Sequence, residues 1–282
     1  MQRDQARQTM TALREAVRKI DRRHAGPVPG PWVAGARDDG SAGFAIPAID
    51  SVFDTAFPVF DLHEIRCPLT RDIAAATGFL AGMLAACMKD AHGRIAWIDE
   101  PAGRMESGQL FPSGLALFGI DPTRLLVVHP ADLKTALWAG DEAAGCHDLA
   151  AMVFHVRGNP AAFDMTATRR LMLKARQNRV FACILRQGGE EEANAAATRW
   201  CVRALPSLVD PQLERGIGLL RLDLALERNR NGRTGQWAIA WNHRSRNFEH
   251  LTAHPFNRTA LPPDRPHGAA RMGQVVALDR AS

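Results

Sequence analysis

The sequence lacks most of the marks of a secreted protein or a metal enzyme. None of its five cysteines, Cys67, Cys87, Cys146, Cys183 and Cys201, belongs to a CxxC pair or to a Cys/His spacing of the zinc type. Their odd number and apolar settings predict reduced, buried thiols in a cytoplasmic protein. No apolar run is long enough to cross a bilayer. No signal-peptide core follows the charged start at Arg3. Secretion and membrane insertion are therefore not expected. Neither a GxSxG motif nor a paired-histidine helix of the metalloprotease type occurs. Tyrosine is absent as well, and nothing functional follows from that.

What is present fits a soluble α/β domain. A length of 282 residues suffices for one large domain, alone or with appendages. A formal net charge of +5 permits a nucleic-acid partner without establishing one.

Along the chain, Met10, Leu13, Val17 and Ile20 recur at spacings of three and four, which predicts an amphipathic helix over 1–24. Its apolar stripe suits docking on the chain's own core, a neighbouring subunit or a partner. Glycines and prolines then mark a linker over 25–50. From 51 to 247 strands and helices alternate. Strands are predicted around Phe60–Ile65, Arg94–Ile98 and Leu125–His129, over the fully apolar Leu149–Val156, and over Val180–Leu185. Helices are predicted from about Asp72 to Lys89, through Leu133 and Trp138, and from Asp164 to Arg179. This order calls for a mostly parallel twisted sheet with right-handed crossovers and helices on both faces. Three further strands, Thr198–Leu205, Leu219–Glu227 and Gln236–Trp241, have no helices between them. They predict an antiparallel C-terminal edge. Residues 248–282 lose periodicity and are expected to be a flexible tail, or one that folds on a partner.

In an α/β core of this order the loop after the first strand usually cradles phosphates. Glycines let backbone N–H groups point inward, and a lysine supplies charge. A later apolar strand ends in an acid that holds the magnesium shell. Here the loop reads Arg66, Cys67, Pro68, Leu69, Thr70, Arg71, Asp72, with no glycine and no lysine. The apolar strand ends at His155 where an acid would be expected. The expectation is a chain without ATP hydrolysis, cofactor or metal at this site. Asp99 and Glu100, at the carboxyl end of another strand, read as catalytic or metal-binding carboxylates, or as relics or caps of the following turn. His155 reads as a base or ligand, or as a structural histidine. Cys67, in a basic loop, suggests a thiol of lowered pKa.

Several stretches carry a resemblance to a known family. They are Leu62-His63-Glu64-Ile65, Ala96-Trp97-Ile98-Asp99, Phe111-Pro112-Ser113-Gly114-Leu115 and Leu117-Phe118-Gly119-Ile120-Asp121-Pro122. Others are Leu133 to Trp138, Asp164 to Leu171, Ala197-Thr198-Arg199-Trp200 with Pro206-Ser207, and Gly235-Gln236-Trp237. Their order over residues 60 to 241 resembles the RecA recombinase core. Within that superfamily it resembles the ImuA family, RecA-like accessory proteins of bacterial damage-induced mutagenesis. The resemblance implies a RecA-like core and a non-catalytic adaptor in SOS-induced error-prone translesion synthesis and DNA repair. It implies a cytoplasmic protein, nucleoid-associated during DNA damage. The implied partners are an ImuB-like inactive Y-family polymerase homologue and, indirectly, an error-prone DnaE-type polymerase, with RecA and single-stranded DNA as further candidates and no membrane. A SulA-like cell-division inhibitor, or a RecA-like DNA-binding protein with residual nucleotide binding, is the alternative.

For DNA, RecA-type loops would correspond to Arg157–Ala161 and to Gln187–Ala197. The second contains Glu190, Glu191 and Glu192, which repel phosphates. A better basic patch is Arg228, Arg230, Arg233, Arg244 and Arg246, with Trp237 and Trp241 nearby as stacking platforms. The competing reading is a solvated hairpin whose tryptophans belong to the core.

Overall fold

The computed structural model describes residues 41–44, 46–87, 93–207, 218–243 and 245–251. The predicted helix with Met10, Leu13, Val17 and Ile20 lies outside them, as do Arg244 and residues 252–282.

Eleven strands are present among the described residues: β1 (Ser41–Ala42), β2 (Phe57–Pro58), β3 (Leu62–Cys67), β4 (Arg94–Asp99), β5 (Leu125–Val128), β6 (Leu149–Arg157), β7 (Phe181–Gln187), β8 (Thr198–Leu205), β9 (Arg221–Asn229), β10 (Gly235–Asn242) and β11 (Asn247–His250). The helices are α1 (Pro47–Asp50), α2 (Ile73–Cys87), α3 (Pro101–Ser107), α4 (Pro112–Ala116), α5 (Leu133–Ala144) and α6 (Met165–Asn178). Nine strands make one sheet in the order β11-β10-β9-β8-β3-β7-β6-β4-β5. From β8 to β5 all pairings are parallel, and β8, β9, β10 and β11 pair antiparallel. This is the expected mostly parallel α/β sheet with an antiparallel C-terminal edge.

The two faces of the sheet are read from alternation. Along β6, Ala151 and Val153 face a core built on α2, while Met152, Phe154 and Val156 face one built on α5 and α6. A strand covered on both sides is mostly apolar, which is why 149–154 carries no alternation. Helix α6 begins where the sequence places it, with the Asp164 carboxylate accepting the Ala167 N–H at 2.8 Å. Helix α2 starts differently. A 3-10 turn over Thr70–Asp72 precedes it, and Leu69 at the cap position offers no side-chain bond.

The linker expected over 25–50 does not extend to residue 50. Phe44, Ile46 and Ile49 are buried, and Pro47 occupies the first turn of α1, where a missing N–H costs nothing. Composition suggested a linker because prolines and glycines also serve a packed, irregular strap. The folded region likewise passes the expected boundary at 247, since β11 pairs with β10 and buries Phe248.

The strap is locked by the β9–β10 hairpin. Arg233 N–H donates to Val52 O at 2.8 Å and Asp54 N–H to Asn231 O at 2.9 Å. Gly232 has φ 146, and a Cβ there would lie 2.0 Å from Val52 O. Gly232→Ala is therefore expected to cost about 1–3 kcal/mol of stability. Urea unfolding checks this, and an unchanged midpoint would contradict the lock.

Candidate functional site at the carboxyl edge of the sheet

The segment from Arg66 to Asp72 is short and its polar groups are engaged. Only five residues separate β3 from α2, and three of them form the 3-10 turn. Arg66 makes a two-pronged pair with Glu227, both bonds 2.7 Å. Asp72 is buried and its carboxylate accepts the Ala204 N–H at 3.1 Å. Cys67 O accepts the Gly188 N–H at 2.8 Å. Thr70 Oγ1 donates to Glu106, which also accepts from Arg157. Leu69 and Arg71 are exposed. The expected low thiol pKa at Cys67 is also corrected. The side chain is fully buried, and burial pushes the thiol up to about 11.

Glu100 is a helix cap. Its carboxylate accepts the Ala102 and Gly103 N–H groups of α3 at 3.1 and 3.0 Å. Asp99 and His155 stand side by side in the β4–β6 register. His155 Nδ1 donates to Asp99 Oδ1 at 2.7 Å, and Nε2 faces the Gln187 amide at 3.0 Å. The atom facing Nε2 is Gln187 Oε1, while Gln187 Nε2 has no hydrogen-bond partner. Helix α3 closes over this ring: a Cβ on Gly103 would sit 2.9 Å from His155 Cε1. All three side chains are buried. Asp99 Oδ2 has no hydrogen-bond partner. His129 Nδ1 lies 3.8 Å from it, beyond hydrogen-bond reach.

Above Asp99 and His155 lies a cavity of about 350 Å³. It opens between the first turns of α2, the ends of β4, β6 and β7, and the segment 107–118. Trp97, Leu115, Phe118, Leu185 and Leu220 form its apolar walls. Among the described residues, no three His, Cys, Asp or Glu side chains converge to hold a metal ion.

A buried charge network that sequence reading missed fixes the neighbouring loops. Glu64, in the centre of β3, accepts from Arg186 at 2.7 Å, Arg199 at 2.5 Å and Asn194 at 2.6 Å. Burial alone would raise the Glu64 carboxyl, but the two guanidiniums outweigh it and hold the carboxyl below its ordinary value. Arg186 also donates to Gly158 O at 2.6 Å, and Arg199 to Glu191 at 2.7 Å and to the Glu192 carbonyl. The loops at 157–161 and 187–197 are clasped through Asn159. Its amide donates to Glu192 at 2.8 Å and accepts the Glu190 N–H at 2.7 Å.

The four described arginines of the expected patch do not form one surface. Arg228, Arg230 and Arg233 lie around the β9–β10 turn, and Arg246 in the β10–β11 turn. Successive turns of a meander fall at opposite ends of the shared strand, here eight residues long, or roughly 24 Å at the usual strand rise. Arg228 donates to Asn194 O at 2.6 Å and Arg230 contacts Met172 Sδ at 3.5 Å. Trp241 is buried between Phe118 and Phe248, with ring centroids 5.0 and 4.8 Å away, and Trp237 packs on Trp200. These indoles belong to the core.

The fold and this edge define an α/β protein with a mostly parallel sheet. At the edge where such sheets bind ligands, a buried carboxylate–imidazole–amide chain sits under an apolar cavity. No protein-family model matches the chain. It is nevertheless ImuA-like: it is similar to Protein ImuA of Caulobacter vibrioides, in strains NA1000 / CB15N and ATCC 19089 / CIP 103742 / CB 15. In each case 27% of residues are identical over 244, covering 82% of this chain and 93% of the relative. Among the described residues no helix is long and apolar enough to cross a membrane.

Proposed function

We propose that the chain is a non-catalytic RecA-like adaptor in SOS-induced, error-prone translesion DNA synthesis and DNA repair. It docks an ImuB-type inactive polymerase homologue and, through it, a DnaE-type polymerase. The observation that carries this reading is the segment Arg66–Asp72, where a tight turn, Pro68 and engaged side chains stand in place of a phosphate cradle. His155 in place of a magnesium-binding acid supports it, as does the similarity to Protein ImuA over most of both chains.

Calorimetric titration with ATP and magnesium is expected to show no saturable binding, and saturable micromolar binding would sink the non-catalytic reading. Co-expressed with an ImuB-type protein, the chain is expected to co-purify with it. DNA contact is the weaker reading, because Arg228 and Arg230 are engaged and Arg246 lies at the far end of β10. Reversing the charges of Arg228, Arg230 and Arg233 together is expected to leave single-stranded DNA mobility at low salt unchanged. A salt-sensitive shift lost in that variant would favour direct DNA binding.

A further inference from the structure

A second, smaller cavity, of about 190 Å³, lies between the last turn of α2, the start of β4, the segment 118–124 and the β10–β11 turn. One side is apolar and includes Ile95, Phe118 and Ile120. The other carries two guanidiniums, Arg124 and Arg246, beside Ser245. Arg124 is held in place. Its Nε donates to Gly93 O at 2.8 Å and its Nη2 to the same carbonyl, which leaves Nη1 over. Burial lowers its pKa, opposed by Asp121 alone. Asp121 Oδ1 is itself turned to the Thr123 N–H and hydroxyl, both at 2.8 Å. Arg246 is exposed and has no ion pair among the described residues.

Arg246 also stands where an arginine is out of place. Its backbone has φ 52, in the left-handed region that glycine and asparagine usually fill. Its side chain lies along Gly119, where a Cβ would come 3.2 Å from Arg246 Cδ and 3.3 Å from Nη1. The turn itself needs no guanidinium, and two like charges beside one cavity call for an anion. The walls narrow its chemistry. A phosphate presents oxygens on all sides and would leave some against Phe118 and Ile120 without donors. A carboxylate places both oxygens on one side, where a guanidinium fork meets them, and turns a hydrocarbon body to the other. The volume is below the roughly 300–1,000 Å³ of pockets for drug-sized ligands, so that body is small. We propose that this cavity binds a carboxylate carried on a small apolar body, its oxygens shared between Arg124 and Arg246. A free organic acid and the carboxyl end of a protein segment present the same group.

The test has two arms. In the first, 4-fluorobenzoate is titrated with the full chain by fluorine NMR, and benzoate, benzyl alcohol and inorganic phosphate compete for it. Saturable binding is expected, with benzoate competing about tenfold more strongly than the alcohol, which lacks the charge, or phosphate, which lacks the body. Arg246→Gly gives the turn the residue its backbone favours. The melting temperature is therefore expected to hold or rise while affinity for 4-fluorobenzoate falls about tenfold. In the second arm, the same variant is co-expressed with the ImuB-type partner. Loss of capture assigns the carboxylate to the partner, and full capture assigns it to a free acid. A wild-type chain that captures no partner sinks the adaptor reading, and the fluorine arm still decides the site. Failure of 4-fluorobenzoate to saturate, phosphate competing as well as benzoate, or an unchanged affinity in Arg246→Gly overturns the site. A melting temperature that falls together with affinity marks a structural arginine and overturns it as well.

Discussion

Replacing Glu64 with alanine is expected to lower the folding free energy by about 3–5 kcal/mol, the range found when one member of a buried ion pair is removed. The carboxylate is almost fully buried and accepts from Arg186, Arg199 and Asn194. Without it, two guanidiniums in central strands face each other with no anion between them. Arg186 Nη2 already has no hydrogen-bond partner, and Arg186 would keep only the Gly158 carbonyl while Arg199 retains the exposed Glu191. Urea unfolding would measure the loss, and a change below 1 kcal/mol would mean that the network contributes no net stability. Replacing Arg186 and Arg199 by apolar residues in the Glu64→Ala background is expected to recover part of it, since the cost lies chiefly in unpaired charge. Because the Glu64 carboxyl sits below its ordinary value when folded, its contribution is present above the unfolded value and is lost as the pH falls through the folded one.

A second loss on acidification is expected earlier, and from a different residue. His63 is fully buried between Phe57 and Phe181, with ring centroids 4.4 and 5.1 Å away, and Nδ1 lies 2.9 Å from Thr198 Oγ1. Burial, only partly opposed by Asp61 and nearby backbone, pushes its pKa from 6.5 down to about 4. A depressed histidine must take up a proton on unfolding. Its contribution is therefore full above about 6.5, falls as the pH drops, and is gone below about 4. The whole span corresponds to about 3 kcal/mol. Urea midpoints measured at pH 7.5, 5.5 and 4.5 should show the decline, and His63→Phe should flatten it while keeping the ring stack. The same decline in the variant would assign acid lability to other groups.

The sheet was legible because its strands and helices announce themselves differently. The apolar run from Leu149 pointed to a doubly covered strand, and Asp164 or Thr166 marked the start of a helix, which Asp164 caps. The strap from Phe44 to Pro58 was not legible, because Pro47 and Gly43 look the same in a linker and in a packed irregular segment. At the site, Asp99 and His155 were each visible as polar residues at strand ends. Their pairing was not, since it follows from the β4–β6 register across 56 residues of chain. Glu64 carries a signal of its own: a carboxylate between His63 and Ile65 inside a strand demands a cation, though nothing local says which. The arginine patch is divided between two turns for a reason the sequence did contain. Residues on two turns separated by one strand cannot meet, however close they lie in number.

The central place of β3 carries a further consequence, for how the chain is made. It is the first long strand of the described residues to leave the ribosome, yet it pairs only with β7 and β8. The bonds from Glu64 reach Arg186 and Arg199, 122 and 135 residues later. Such distant pairings close late and slowly. Until then β3 waits with both its ladder edges open and an unmatched carboxylate at its middle. A charge inside an open strand disfavours its pairing with another chain, as inward-pointing charges do on exposed edges. The ion cluster that later anchors the finished sheet would first serve as a safeguard during synthesis.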